Sequence, residues 1–462
     1  MAWSESGGTA TVTANAGASA GWPRLFDDPI LSSLMTRAAA ANLDVALAGA
    51  RLREARAQAG LAAAASQASL NFTGSTARER DSQNAPRPVL VDRAGEVDSS
   101  SGVENLYQAG FDAAWEIDVF GARGHASSAA RAEFEAGVHE SGAMLATVCA
   151  EVARHYVALR AAQQQLILAR AELAAQNDML ALARARRSGG YASGADVANA
   201  AAQLSRMAAQ VPVHELEAKR ALHRIGVLLG EPPGATVGGL QAELRAPGPI
   251  PHAANGSAIE VPSELLRRRP DVNRAERQLA AATARREAAV AELFPRISLT
   301  GTAGLASVSA GELLTGASLF ARIGPTITWP ILRRGQIVAT IEVRGAQQEQ
   351  AFLAYRQAIL TAFEEVENAL AAIDSARQRQ GALAASVRDS ELAFELATAR
   401  YRGGMSDFRP VLEAGHGLAQ ARSELAAGEA ALAIAAIVLF KSAGGGWGPA
   451  VTPASAPAPA GG

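Results

Sequence analysis

The chain is written twice. Trp329 lies 214 residues beyond Trp115, and the same shift carries Gly110 onto Gly324, Gly121 onto Gly335 and Gly189-Gly190 onto Gly403-Gly404. Nearer the start of each copy the shift is 227 residues, carrying Asp44-Val45 onto Asp271-Val272 and Phe72-Thr73-Gly74 onto Leu299-Thr300-Gly301. The difference between the two shifts fits a longer polar loop in the first copy, from Asp81 to Gly102. An ordered series of matches of this kind decides architecture before composition does. Each half reads helix, strand, loop, strand, long helix, tight turn, helix.

The strands alternate. Tyr107, Ala109, Phe111, Ala113, Trp115, Ile117 and Val119 share one parity, while Gln108, Asp112, Glu116 and Asp118 share the other. Leu319, Ala321, Ile323, Ile327, Trp329 and Ile331 repeat the apolar parity in the second copy, as do Ile297, Leu299, Ala303 and Leu305 one strand earlier. Segments of ~10 residues, apolar on one side and polar on the other, are the signature of a membrane β-barrel. Alternation alone also fits a half-buried sheet in a soluble protein.

The helices are unusually long. No proline occurs between Gly121 and Arg187 or between Gly335 and Arg402. Each span would extend roughly 100 Å at 1.5 Å per residue. Phe352, Tyr355, Ile359, Phe363, Val366, Leu370 and Ile373 follow heptad spacing, and Val138, Ser141, Leu145, Cys149, Val152, Tyr156 and Leu159 follow it in the first copy. Cys149, the one cysteine, therefore belongs to a packing stripe and reads as a buried structural thiol. Each long helix runs into a glycine pair, where left-handed backbone is cheap. Ser193-Gly194-Ala195-Asp196 then reads as a capping box, and Ser406 and Asp407 as possible caps in the second copy.

Four strands make an open sheet with two unpaired edges, which lipid does not tolerate. Closure requires several copies, and three would supply an even twelve strands around a lumen. Other classes find little support. The net charge of −2 gives no bulk attraction to nucleic acid, and Arg267-Arg268-Arg269 precedes Pro270 at a helix start, a structural setting. One cysteine and seven scattered histidines leave no metal-ligand spacing, and no nucleophile set, phosphate loop or dinucleotide fingerprint is present. The longest apolar run, Ala430 to Phe440, is closed by Lys441 and is too short for a membrane helix. The first twenty residues lack a basic start and an apolar core, so no signal peptide is visible, which by itself argues for the cytoplasm.

Four stretches carry a family resemblance. They are Trp115-Glu116-Ile117-Asp118-Val119-Phe120-Gly121, the run Val261-Pro262-Ser263-Glu264-Leu265-Leu266-Arg267-Arg268-Arg269-Pro270-Asp271-Val272, Phe294-Pro295-Arg296-Ile297-Ser298-Leu299-Thr300-Gly301, and Leu439-Phe440-Lys441 with Gly444-Gly445-Gly446-Trp447. From about Trp22 to Trp447 the chain resembles the outer-membrane factors of tripartite efflux pumps, the TolC and OprM type, and specifically their NodT lipoprotein branch. The resemblance implies a mixed membrane protein, internally duplicated, whose four strands join a trimeric 12-stranded β-barrel continued by a long α-helical coiled-coil tunnel through the periplasm. It implies a passive outer-membrane efflux channel, not an enzyme, without a cofactor. Its partners would be two further copies, a periplasmic adaptor (membrane fusion protein), an inner-membrane transporter of the RND type, and outer-membrane lipids. The family's signal sequence and acylated cysteine do not occur in the chain as written, so lipid anchoring is not expected of it. A soluble coiled-coil scaffold with an accessory sheet is the alternative from another class.

The expected organisation is an N-terminal extended segment (1–26), helices of the first repeat (27–65), a first β-hairpin (66–120), a first long helical hairpin (121–229) and an equatorial connector (230–270). A helix of the second repeat (271–293), a second β-hairpin (294–332), a second helical hairpin (333–441) and a C-terminal tail (442–462) follow. By the resemblance, the turns Gly190-Tyr191-Ala192-Ser193 and Gly404-Met405-Ser406 meet the adaptor. An arginine and an acid at the positions of Arg400 and Glu413 hold the tunnel end closed. Arg402 and Asp407 lie beside them, and Arg186 and Asp196 are the charges at the matching end of the first copy.

Overall fold

The computed structural model describes residues 26–80, 103–232, 240–252 and 268–444. The first seven residues of the Val261–Val272 motif, the Gly445-Gly446-Trp447 end of the closing motif, the Asp81–Gly102 loop and the N-terminal segment before residue 26 lie outside them. The order is α1 (Pro29–Ala41), α2 (Leu43–Ala64), β1 (Ser69–Arg80), β2 (Val103–Ile117), α3 (Ala122–Ser188), α4 (Gly194–Leu228) and α5 (Leu240–Arg245), then α6 (Pro270–Ala291), β3 (Arg296–Ser307), β4 (Leu319–Thr328), α7 (Arg334–Arg402) and α8 (Arg409–Ser442). The duplication holds almost to the residue. A shift of 227 carries α2 onto α6 and β1 onto β3, end to end, and a shift of 214 carries the last residue of α3 onto that of α7.

Two compact units result. One comprises Glu54–Phe134 and Arg277–Phe352, the other Met1–Arg53, Glu135–Glu276 and Leu353–Gly462. The first holds a four-stranded antiparallel sheet in the order β1-β2-β3-β4. Register places Phe72 opposite Phe111, Trp115 opposite Leu299 and Ile297 opposite Ile327, so one face is apolar across all four strands. The Phe72 and Phe111 rings meet edge to face with centroids 5.4 Å apart, a favoured cross-strand contact. The opposite face carries Asn71, Asp112, Thr302 and Arg322 on a single rung. The apolar face stays open, with Ile323 76% exposed. Both parities of β1 and β4 are exposed in the single chain, so it is the continuity of the apolar face across four strands that fits a bilayer-facing sheet.

The second unit is helical, with a core of Leu31, Leu34, Val152, Tyr156, Leu159, Ile225 and Leu244. Asp28 caps α1 by accepting from the Ile30 and Leu31 amides, and also accepts from the Tyr156 hydroxyl at 2.8 Å. The heptad seam is buried at Cys149, Val152, Tyr156, Leu159, Val366 and Leu370, whereas Phe352 at its start is exposed. Arg269 fixes the described end of the Val261–Val272 motif. Its guanidinium donates to Asp271, to Glu365 of α7 and, at 2.8 Å, to the Ser442 carbonyl at the end of α8. The basic triplet's last member is thus a buried structural clamp, and Pro270 opens α6 as its fixed φ favours.

Two sequence expectations change, at the start of α8 and in its apolar length. Ser406 and Asp407 do not cap α8, which begins at Arg409 behind Phe408 with no side-chain cap; Pro410 in the first turn has the helical φ built in and no N–H to satisfy. Pro212 lies inside α4, where the missing N–H does not end the helix. Within α8 an 18-residue window has mean hydropathy 1.8, apolar and long enough to cross a membrane on composition, although 44% of it is buried within the protein.

Burial pushes the Cys149 thiol up to about 12. At pH 7.5 almost no thiolate exists. Maleimide labelling of the folded protein should be negligible and should become complete on unfolding; rapid labelling before unfolding would place Cys149 outside the core.

Candidate functional site: the hairpin tips

Both long helices end in the same device. Gly190 takes φ +81° and Gly404 φ +71°, a region where a Cβ is strained. The Tyr191 amide donates to the Arg186 carbonyl at 2.8 Å and the Gly190 amide to that of Arg187 at 3.0 Å. The Met405 amide donates to Arg400 at 2.9 Å and the Gly404 amide to Tyr401 at 3.1 Å, the same pair of Schellman bonds one repeat later. Each turn presents one large apolar side chain, Tyr191 at 84% and Met405 at 69% exposure. Ala192 and Ser406 sit half-buried beside them, and Ser193 is exposed.

The first hairpin restarts through a closed capping box. The Ser193 hydroxyl accepts from the Asp196 amide at 3.2 Å, while the Asp196 carboxylate accepts from the Ser193 amide and hydroxyl, both at 2.8 Å. Those bonds hold the Asp196 carboxyl below the usual carboxylate range. Asp196 therefore already has a structural partner within its own turn.

The two hairpins touch near their ends through side chains that the sequence did not connect. The Arg186 guanidinium of α3 lies 4.2 Å from the centroid of the Tyr401 ring of α7. That ring in turn packs against Phe408, centroids 5.1 Å apart, at the start of α8. Tyr401 is buried, yet its hydroxyl has no hydrogen-bond partner among the described residues. Further along, Gln165 of α3 and Ser423 of α8 exchange two hydrogen bonds of 2.7 Å. Glu172 faces His416 at 3.9 Å, and burial raises its pKa.

Arg400 and Glu413 are not brought together within one chain. Glu413 instead accepts from Arg409 Nε at 2.7 Å, one turn away on α8, in an exposed pair. Arg400, Arg402 and Asp407 are all exposed. Tyr401 and Phe408 went unnoticed because the repeat sets them against Arg187 and Gly194, which offer no aromatic counterpart. The one available signal was two aromatics flanking a turn in a chain only 5% aromatic. Among the described residues no group of three or more His, Cys, Asp or Glu side chains gathers as a metal site would.

The sequence profile of the outer membrane efflux protein family matches residues 34–231 and 261–445, one segment per repeat. The chain belongs to the outer membrane efflux protein family. It is 31% identical over 429 residues to the pyoverdine export outer membrane protein OpmQ of Pseudomonas aeruginosa, covering 92% of this chain and 87% of that protein. It is 28% identical to the toluene efflux pump outer membrane protein TtgF of Pseudomonas putida, covering 92% and 85%. The solved outer-membrane channel OprN superposes with a TM-score of 0.84 at 30% identity, covering 96% of this chain and 99% of that one. The protein is thus an outer-membrane efflux channel, and the cytoplasmic placement suggested by its first twenty residues is overturned. Family members and relatives are channel and transport proteins.

Proposed function

We propose that three copies of the channel close one barrel and one helical duct, through which small molecules pass without chemical change. The observation that carries this reading is the four-stranded sheet, apolar and bare on one face, with β1 and β4 as its outer strands. Lipid penalises unpaired backbone groups at such edges, and pairing β4 of one copy with β1 of the next removes them all. Asn71, Asp112, Thr302 and Arg322 then face a wet lumen. The duct performs no reaction and needs no cofactor; energy comes from an inner-membrane transporter of the RND type. The relatives' cargoes, pyoverdine and toluene, differ so widely in polarity that the channel is best read as permissive toward drugs and other toxic small molecules.

A periplasmic adaptor docks on the tips, at Gly190, Tyr191, Ala192, Ser193, Gly404, Met405 and Ser406. Tyr191 and Met405 are apolar anchors of the kind that carry interface energy. Bulky side chains at Ala192 or Ser406 should cost ~2 kcal/mol of docking, about thirtyfold in affinity. Ala192→Trp and Ser406→Trp channels, co-expressed with their pump partners, should fail to export drug while assembling normally in the outer membrane. Parental export by both would remove the adaptor from these turns.

The tip also forms the resting gate. Arg186, stacked on the Tyr401 ring that packs in turn against Phe408, clasps the first hairpin to the second inside one chain. Arg400, Arg402, Asp407, Glu413 and Asp196 add exposed charge, and any Arg400–Glu413 contact forms between chains.

A further inference from the structure

The two strand-to-helix junctions occupy matching places in the repeat but differ in backbone and in chemistry: Gly121 takes φ +79° just before α3, whereas Gly335, its repeat partner, lies inside α7. In the first, Asp118 accepts from the Arg123 and Gly124 amides at 3.1 and 2.6 Å, and the Arg123 guanidinium is paired with Glu116 at 2.8 Å. Every charge there is closed on a neighbour. The repeat sets Asp118-Val119-Phe120 against Leu332-Arg333-Arg334. In the second junction Leu332 is 99% exposed, Ile331 and Trp329 beside it are exposed, and both arginines point to solvent. Arg333 donates only to the Gln336 side chain, at 3.1 and 3.2 Å, and neither arginine meets a carboxylate among the described residues.

This tongue continues the membrane-facing surface. Trp329 extends the apolar parity of β4 and is held by its indole N–H donating to the Leu293 carbonyl at 3.1 Å. Phe120 and Phe294 stack at 4.7 Å in the same unit. Aromatic side chains at the end of a barrel strand sit at headgroup depth, and arginines just beyond them reach phosphates. The long helix that follows is the periplasmic end of the strand, so the headgroups within reach are those of the inner leaflet.

We propose that Ile331, Leu332, Arg333 and Arg334 form a lipid-reading tongue, with Leu332 inserted among acyl chains and the two arginines gripping the phosphates of anionic phospholipids. The first-repeat junction, its charges already paired, does not take part. The tongue fixes the depth and rotation of the second repeat at the membrane, the repeat that carries Tyr401 and Phe408. It is independent of how many chains close the barrel.

Each arginine near an anionic surface contributes about fivefold in lipid affinity. Purified channel in detergent should retain phosphatidylglycerol over phosphatidylcholine in native mass spectrometry, and phosphatidylglycerol should raise its melting temperature. Inorganic phosphate at equal concentration should not, because it lacks the chains that Leu332 meets. R333Q/R334Q should lose about twenty-five-fold of the phosphatidylglycerol preference. R333K/R334K should keep most of it, and Leu332→Ser should weaken retention of both lipids. Melting in detergent alone reports whether each variant is folded. Equal phosphatidylglycerol preference in R333Q/R334Q and the parent overturns the proposal, as does a stabilisation reproduced by inorganic phosphate alone.

Discussion

Replacing Tyr401 with alanine is expected to open the resting channel. The ring is the shared element of two contacts, Arg186 at 4.2 Å and Phe408 at 5.1 Å. A partly desolvated cation–π contact contributes ~1–2 kcal/mol and an aromatic pair ~1 kcal/mol, so each chain loses ~2 kcal/mol or more. That is about thirtyfold in a two-state equilibrium for one chain, compounded if three chains open together. Resting conductance in a planar bilayer should rise at least ~tenfold for Tyr401→Ala, and several-fold for Arg186→Gln. Tyr401→Phe should stay near the parental level, because the hydroxyl it removes has no hydrogen-bond partner among the described residues. By contrast Arg400→Ser and Glu413→Ala touch exposed charges worth ~0–1 kcal/mol, and should raise conductance by no more than about fivefold. High salt should mimic those two by screening and leave the clasp largely untouched. Parental conductance in Tyr401→Ala would take the clasp out of the gate.

Gly304→Val is expected to abolish the assembled barrel. A Cβ at Gly304 would lie 2.5 Å from the Ala109 carbonyl oxygen and 2.6 Å from Gly110 Cα, both backbone atoms of the neighbouring central strand. Gly110 is equally constrained from the other side, at 2.8 Å from the Ala303 carbonyl oxygen. Neither backbone can retreat without breaking the β2–β3 ladder, so heat-resistant oligomer should be lost from the outer membrane. Gly301→Ala, on the same inner strand, is the control, since a Cβ there would lie 3.7 Å from its nearest neighbours, an ordinary van der Waals contact. Oligomer yields from Gly304→Val matching those of Gly301→Ala would refute the close strand approach.

A pair of glycines marks how far the sequence could be read. Gly110 and Gly324 occupy one position in the duplicated sequence, yet one lies at the centre of the sheet and the other on an outer strand. Periodicity reports which face a residue takes, not how closely the next strand approaches. The features set by local chemistry were legible: the alternation of β2, the glycine turns at Gly190 and Gly404, and the Ser193–Asp196 box. What escaped were contacts between residues far apart in sequence. Arg186 and Tyr401 meet across the two repeats, and Arg269 reaches Glu365 and Ser442 at the far ends of other helices. Within one chain Glu413 pairs with Arg409 one helical turn away, a contact that helical spacing makes legible, while the Arg400–Glu413 contact that the resemblance implies would lie between chains. Ser406 and Asp407 failed as caps because Pro410 already sets the first turn of α8.

The mass of the detergent-solubilised channel tests the central claim most directly. One chain is 47.5 kDa, and closing the edges of β1 and β4 requires several copies. Light scattering corrected for bound detergent, or native mass spectrometry, should give a protein mass three times that of the chain at every concentration that keeps the channel folded. A stable, folded single chain of 47.5 kDa would contradict the account, because its two outer strands would then be satisfied without a partner.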